Sequence, residues 1–397
     1  MSRQTRSTRG CLAILVVGAI ASCGGAGNHV ATTPASSDAV LTALATHLAA
    51  NPTMRTSDEL RIQGTLLPQR SPATVTRDRE LFEQLVTSGY LTNDSLSDQD
   101  RLHIALLCTS LLDTSESVGL RCLSKMAGAG ASWARYLREI GIAAGGEPAE
   151  SLAVGWACDS GGKAIATMAA DYLARSASYE ASIPALVKCV DRSDVDESIR
   201  VLLIRALGKI ASPRARPAID ALLARSGLDD AMQAAAIWSF VELQGRHGRS
   251  RLDALKPIGE QAKSERAEGL AFLTGSDTSD AAPFGLETTN DLDSYERFAD
   301  LDAPVCNWVR AHGGSDLIEG RRSLDATGRH DLLAALAAGG GFGFDMVKGS
   351  LFEGVGPADT DALLRIRRAV YTRDVVDPGR FDHSLAIVLK RARMEER

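Results

Sequence analysis

Between positions 199 and 211 apolar residues fall at Ile199, Leu202, Leu203, Ala206, Leu207 and Ile210, a spacing that gives an α-helix one dry face. Ser193, Asp194 and Asp196 precede it with capping groups and negative charge. Ser212-Pro213 ends it, because a residue before proline resists the helical region. Pro217 stands in the opening turn of a second helix, which carries Ile219, Leu222 and Leu223 and is closed by Gly227. From Met232 the pattern restarts, with Ala236, Ile237, Phe240, Val241 and Leu243. Two antiparallel helices sharing one apolar face cannot bury that face alone, so such pairs must stack on copies of themselves.

The step from Ala206 to Ser239 is 33 residues, and it recurs along the chain. Leu107, Ile140, Leu173, Leu207, Phe240 and Leu273 stand 33, 33, 34, 33 and 33 apart, each late in a predicted first helix. Gly141 and Gly208 share a slot, and Ile183-Pro184-Ala185 parallels Arg216-Pro217-Ala218. Roughly six helical pairs are therefore expected over residues 98–275. The run Ala206-Leu207-Gly208, Ile210, Ser212-Pro213 and Pro217 resembles a HEAT repeat of the short, PBS-lyase-like kind. That resemblance implies an α-solenoid whose second helices line a concave surface used for protein contacts. It makes Arg214, Arg216, Asp220 and Arg225 candidate partner-binding residues. Tetratricopeptide arrays share the period, but their Trp, Leu-Gly and Tyr signature is not in this chain.

On either side of the repeats the pattern is less regular. Residues 38–97 read as an N-terminal helical cap region, with Val40, Leu41, Leu44 and Leu48 on one helix and a second helix over 76–86. The stretch 55–74 between them reads as irregular, with Pro68 and Pro72 as breakers. Residues 276–302 hold eight acidic groups against Arg297, with Pro283 and Gly285, and read as an acidic loop. Its carboxylates lack the spacing and the glycine of an EF-hand, so a solvated face is expected. A C-terminal helical region, 303–397, has predicted helices at 303–311, 326–338, 359–371 and 381–393. Gly339 to Gly343 is a helix stop or a place of close backbone approach. The last 37 residues carry nine basic and six acidic groups, which are expected to pair with the acidic loop or to face anionic head groups. The fold class is all-α: an α-solenoid of stacked antiparallel helical hairpins followed by a less regular helical C-terminal region.

Residues 1–22 stand outside this scheme. Arg3, Arg6 and Arg9 form a basic start, and Cys11 to Ile20 an apolar run too short to span a bilayer. The run ends in Ile20-Ala21-Ser22-Cys23, which resembles a bacterial lipoprotein lipobox. The resemblance implies that Cys23 receives diacylglycerol and an acyl chain such as palmitate, with 23–37 as a flexible tether. A plain signal peptide cleaved near Ala21 is the alternative. Gly24, rather than Asp, follows the cysteine, which implies the outer membrane facing the periplasm, or the cell surface.

Without residues 1–22 the chain has 41 basic and 50 acidic groups, a net charge of about −9 that argues against nucleic acid as a partner. Cys108 and Cys122 are symmetric about residue 115, at the turn of a predicted hairpin, so a bridge between them is reasonable. Cys158 and Cys189 lie about one repeat apart on neighbouring helices and form a second candidate pair, with Cys306 left free. All four also read as ordinary small buried side chains.

No catalytic constellation emerges. His-Glu-x-x-His does not occur, and His312-Gly313-Gly314-Ser315 has no Gly-x-Ser-x-Gly nucleophile elbow to serve. Gly161-Gly162-Lys163 lacks the leading glycine and hydroxyl residue of a phosphate loop, and Phe344 stands where a dinucleotide motif needs a final glycine. Trp133, Trp156, Trp238 and Trp308 read as packing residues. The expectation is a non-enzymatic, lipid-anchored envelope scaffold or adaptor with no cofactor or metal, binding an unidentified protein partner. The rival expectation is an envelope hydrolase built by the C-terminal region around His312, His330 or His383.

Overall fold

Capping side chains set where the helices begin. Ser71 accepts from the Thr74 amide at 3.1 Å, Ser97 from Asp100 at 3.1 Å, Asp196 from Ser198 at 2.9 Å and Asp325 from Gly328 at 2.8 Å. The computed structural model describes residues 39–51, 71–93, 95–159, 162–244, 248–275, 303–318, 323–341, 343–373 and 378–393, all within one unit spanning 39–397. The expected signal segment 1–22, Cys23 with its expected tether, and the expected acidic loop 276–302 lie outside the described residues.

All regular structure in the described residues is helical. Helices α1 (Ala39–Ala50) and α2 (Pro72–Thr87) precede the pairs. The first pair is α3 (Asp98–Thr114) with α4 (Glu116–Ala129). Next come α5, built from Ala134–Tyr136, a π-helical turn Leu137–Gly141 and Ile142–Ala144, and α6 (Gly146–Cys158). Then follow α7 (Lys163–Ser176) with α8 (Ile183–Val190), α9 (Glu197–Lys209) with α10 (Arg216–Ala224), and α11 (Asp230–Gln244) with α12 (Arg249–Ala254). Helix α13 (Glu260–Gly275) closes the series. Among the described residues the C-terminal region holds α14 (Pro304–His312), α15 (Ser315–Ile318), α16 (Ala326–Ala338), α17 (Phe344–Phe352), α18 (Thr360–Arg373) and α19 (Pro378–Arg393). None of the described helices is long and apolar enough to cross a membrane.

Each pair packs on its sequence neighbours, with α7 against α9, α9 against α11 and α11 against α13. The repeat positions Leu107, Leu173, Leu207 and Phe240 are all buried. At Gly208 a Cβ would lie 2.7 Å from the Ser239 Cα, so only glycine lets α9 and α11 come this close. Ser239 uses that proximity to donate its hydroxyl to the Ile204 carbonyl at 2.8 Å. Disulfides join Cys108 to Cys122 within the first pair and Cys158 to Cys189 between α6 and α8, with Cα separations of 5.8 and 5.7 Å. Cys306 is unpaired and buried on α14, and burial pushes its thiol up to about 11.

Two local expectations are corrected. Pro72 does not break structure but begins α2, at the first helical position where a missing N–H does no harm. Helices α15 and α17 have no counterpart among the helices predicted from the sequence pattern. The Gly339–Gly343 stretch stops α16, with Gly340, Gly341 and Gly343 at φ of 61°, 77° and 80°. It is also a close approach, since a Cβ on Gly341 would lie within 2.2 Å of Val370.

The C-terminal helices form their own core and lie against the ends of the first helices. Arg368 donates to the Leu112 carbonyl at 2.9 Å and to Glu116 at 2.8 Å. Arg393 reaches the carbonyls of Ser178 and Ile210, each at 2.5 Å, and Lys390 reaches Glu242 at 2.9 Å. These tail cations are thus spent on the last turns of α3 and α11 and on the residues just past α7 and α9. Their positions, near 112, 178, 210 and 242, march along the array at about the repeat spacing or twice it.

Candidate functional site

Arg367 occupies the apolar side of α18, on the same face as Leu363, Ile366 and Val370, so the packing that buries those residues also carries the guanidinium inside. Only 2% of it is exposed. Its Nε donates to Asp382 Oδ1 at 3.1 Å and its Nη2 to the Tyr172 hydroxyl at 3.1 Å. The second oxygen of Asp382 accepts from the Tyr371 hydroxyl at 2.5 Å. Burial opposes the charge on Arg367, yet Asp382 and the tyrosines outweigh it and hold the guanidinium well above its ordinary value. Burial also raises Tyr172 and Tyr371, so both stay protonated donors or acceptors. The Nη1 of Arg367 is buried and has no hydrogen-bond partner.

Arg393 on α19 lies beside it and is 7% exposed. It donates to the carbonyl of Ile210, the cap residue of α9, where a helix end carries partial negative charge, and to that of Ser178, two residues past α7. Burial lowers its pKa, with Glu180 and Glu150 opposing, but a guanidinium remains charged in a protein. Its Nε is likewise buried without a partner. Glu150 of α6 holds the neighbouring turn, accepting from the Ser178 and Tyr179 amides at 2.8 and 3.1 Å and from Ser182 Oγ at 2.7 Å. Burial raises its pKa, and the Ser182 hydroxyl and Ser178 amide restrain the rise.

Between the ends of α7 and α9 and the inner side of α19 is a small pocket, partly open to solvent, with a cavity volume of about 30 Å³. Arg175, Lys209, Arg367 and Arg393 line it, and Asp382 is the carboxylate on its wall. Ala211, also on the wall, holds φ at 52°, a left-handed conformation uncommon for a residue with a Cβ. Arg175 is paired with Asp171 at 2.8 Å, whereas Lys209 makes no ion pair among the described residues. The chemistry available is recognition of negative charge by guanidinium and ammonium groups.

The residues expected to meet a partner are engaged within the array. Arg214 reaches Glu180 at 3.2 Å and Arg225 reaches Asp191 at 2.6 Å, both toward the preceding pair. Asp220 meets Arg251 at 2.7 Å and Arg216 donates to the Leu243 carbonyl at 3.3 Å, both toward the following pair. None of the four borders the pocket.

A second polar cluster links the N-terminal helices. Asp78, fully buried, meets His47 Nε2 at 2.6 Å and accepts from Ser110 Oγ at 2.6 Å. The residue types are those of a catalytic triad, but the carboxylate sits between histidine and serine, so the histidine does not reach the hydroxyl it would activate. Of the histidines a hydrolase would use, His312 stacks on Trp308 with ring centres 4.2 Å apart and its Nδ1 lies 2.8 Å from the Trp308 carbonyl. His330 is exposed on α16, and the side chain of His383 lies outside the described residues. Gly313 and Gly314, at φ of 138° and 53°, end α14, and the amides of both donate to the Val309 carbonyl. Among the described residues no group of three or more His, Cys, Asp or Glu side chains is placed to hold a metal ion.

Sequence reasoning missed Glu150, Arg367, Tyr371, Asp382 and Arg393. A signal existed for two of them: Arg367 interrupts an apolar helical face, and Arg393 directly follows Leu385, Val388, Leu389 and Ala392. No protein-family model, curated protein or solved structure matches the chain.

Proposed function

We propose that this chain is a lipid-anchored scaffold or adaptor of the cell envelope, a HEAT-like array that binds a protein partner through its second helices. The observation that carries this reading is the stack itself. First helices pack on first helices through α7, α9, α11 and α13, while Lys125, Ser151, Lys188 and Ala221 on successive second helices face solvent. Exposed positions of this kind, one on each of α4, α6, α8 and α10, leave the second-helix side of the stack open to a partner. Two disulfides fit an oxidising compartment, and the lipobox-like residues ending at Cys23 supply the anchor.

The test places a photo-crosslinking residue at Lys188 or Ala221, and at the exposed Arg205 on the first-helix side as control. Crosslinks of one defined mass from the second-helix positions, and none from Arg205, are expected in intact cells. Cys23→Ser is expected to move the protein from the membrane fraction to the soluble one. Equal crosslinking from both sides, or unchanged fractionation of Cys23→Ser, overturns the corresponding half of the reading.

A further inference from the structure

We propose that the pocket between α19 and the ends of α7 and α9 is a binding site for a small oxyanion, a carboxylate or a phosphate group. Three observations converge on it. Four of its lining side chains are cationic, Arg175, Lys209, Arg367 and Arg393, against the single carboxylate of Asp382. Two of those cations, Arg367 and Arg393, are more than nine-tenths buried. Both keep a buried guanidinium N–H without a partner, Nη1 of Arg367 and Nε of Arg393. Buried polar groups in folded proteins are almost always satisfied, and each of these two pocket-lining side chains holds a donor that is not.

The remaining bonds define which acceptor fits. Asp382 is already shared between Arg367 and Tyr371, so it has little left to give Nη1. Glu150 is occupied by two amides and a hydroxyl of the next turn. The carbonyls of Ser178 and Ile210 are taken by the other two nitrogens of Arg393. A ligand with two or more oxygens and a negative charge complements what is left, since planar guanidinium groups bind carboxylate and phosphate oxygens in charge-assisted pairs. Lys209, at the rim and free of an ion pair among the described residues, adds a movable point charge.

Arg367 and Arg393 hold the helices together, so their removal tests folding more than binding; Lys209 and the 72% exposed Arg175 side chain are the positions to change. Inorganic phosphate and acetate are titrated separately into the purified protein by calorimetry, with ionic strength fixed by chloride. Vesicles of phosphatidylglycerol form a third arm. Saturable binding of phosphate or acetate at one site is expected, and the stronger of the two identifies the oxyanion. Lys209→Ala is expected to weaken it about tenfold and the Arg175→Ala, Lys209→Ala double variant further. Arg135→Ala, whose 69% exposed side chain lies away from the pocket in an ion pair of the same kind as that of Arg175, should leave it unchanged. Binding that follows ionic strength alone, binding to vesicles without binding of the free anions, or equal affinity in Lys209→Ala overturns the site and leaves the arginines as clamps on the helix ends.

Discussion

The guanidinium of Arg368 donates to the carbonyl oxygen of Leu112 at 2.9 Å across 256 positions of sequence. Leu112 closes the first helix of the first pair, so the far end of the chain fastens the beginning of the array. Arg368 also meets Glu116 at 2.8 Å, in the first turn of α4, where its charge answers both a helix C-terminus and a carboxylate. Arg368→Ala should lower stability by about 1–2 kcal/mol, read as a shift in urea midpoint. Faster hydrogen exchange in α3 and α18 together should accompany it; exchange confined to α18 would show that the contact does not couple the two ends.

Gly208 makes a sharper prediction about the repeats. Its absent side chain is the reason α9 and α11 approach closely enough for Ser239 to reach Ile204. Gly208→Ala should destabilise by about 1–3 kcal/mol through overpacking against the Ser239 backbone. Gly128, also helical but with nothing within 4 Å of where a Cβ would stand, should respond in the opposite sense. Gly128→Ala is expected to stabilise by about 0.4–1 kcal/mol by restricting the unfolded chain. Thermal melts of the two variants decide whether the tight contact between pairs is real.

The disulfides should differ in kind from the free thiol of Cys306. Replacing Cys108 and Cys122 together by serine should cost about 3 kcal/mol, given a loop of 14 residues, and replacing Cys158 and Cys189 about as much or slightly more for a span of 31. Cys306 should resist alkylation in the native protein, because it is buried and its thiol is raised to about 11. Mass-spectrometric labelling before and after denaturation measures all three. Rapid native labelling at Cys306 would contradict the packing of α14.

Glu150 gives a pH dependence with a definite sign. Its folded pKa lies above the ordinary value of 4.5 because burial disfavours the carboxylate. The native state therefore holds the proton more tightly than the unfolded chain does. The stability this contributes is full below about 4.5 and is lost as pH rises through the folded value. Glu150→Gln should melt lower overall, since an amide presents a donor to one of the groups that now donate to Glu150. Its melting temperature should fall less steeply than the wild type's as pH rises from about 4.5 to neutrality. Parallel curves would assign the burial penalty elsewhere.

The helical pairs were legible because they are local. The apolar positions around Leu107, Leu173, Leu207 and Phe240 report helix faces directly, and all four are buried where the spacing puts them. Helix α17 was hidden because Lys348 and Ser350 dilute its apolar signal. Both are nonetheless buried: Lys348 donates to Ser384 at 3.2 Å and Ser350 to the Leu317 carbonyl at 2.5 Å. The pocket was not legible because its walls come from α7, α9, α18 and α19, and no periodicity states which edge a distant helix will lie along. Arg367 was the available clue, a charge in register with Leu363, Ile366 and Val370. A residue of that kind asks for an acid from outside its own helix, and Asp382 supplies it.

Fastening by the final helices also sets an order of events during synthesis. The hairpin of α3 and α4 leaves the ribosome long before Arg368 exists, and the carbonyls of Ser178 and Ile210 wait for Arg393, 215 and 183 positions further on. Every earlier pair therefore stands open-edged until α18 and α19 have been made, covered in the meantime by its neighbours alone. A stop ahead of α18 would deliver an array whose turns have no cover.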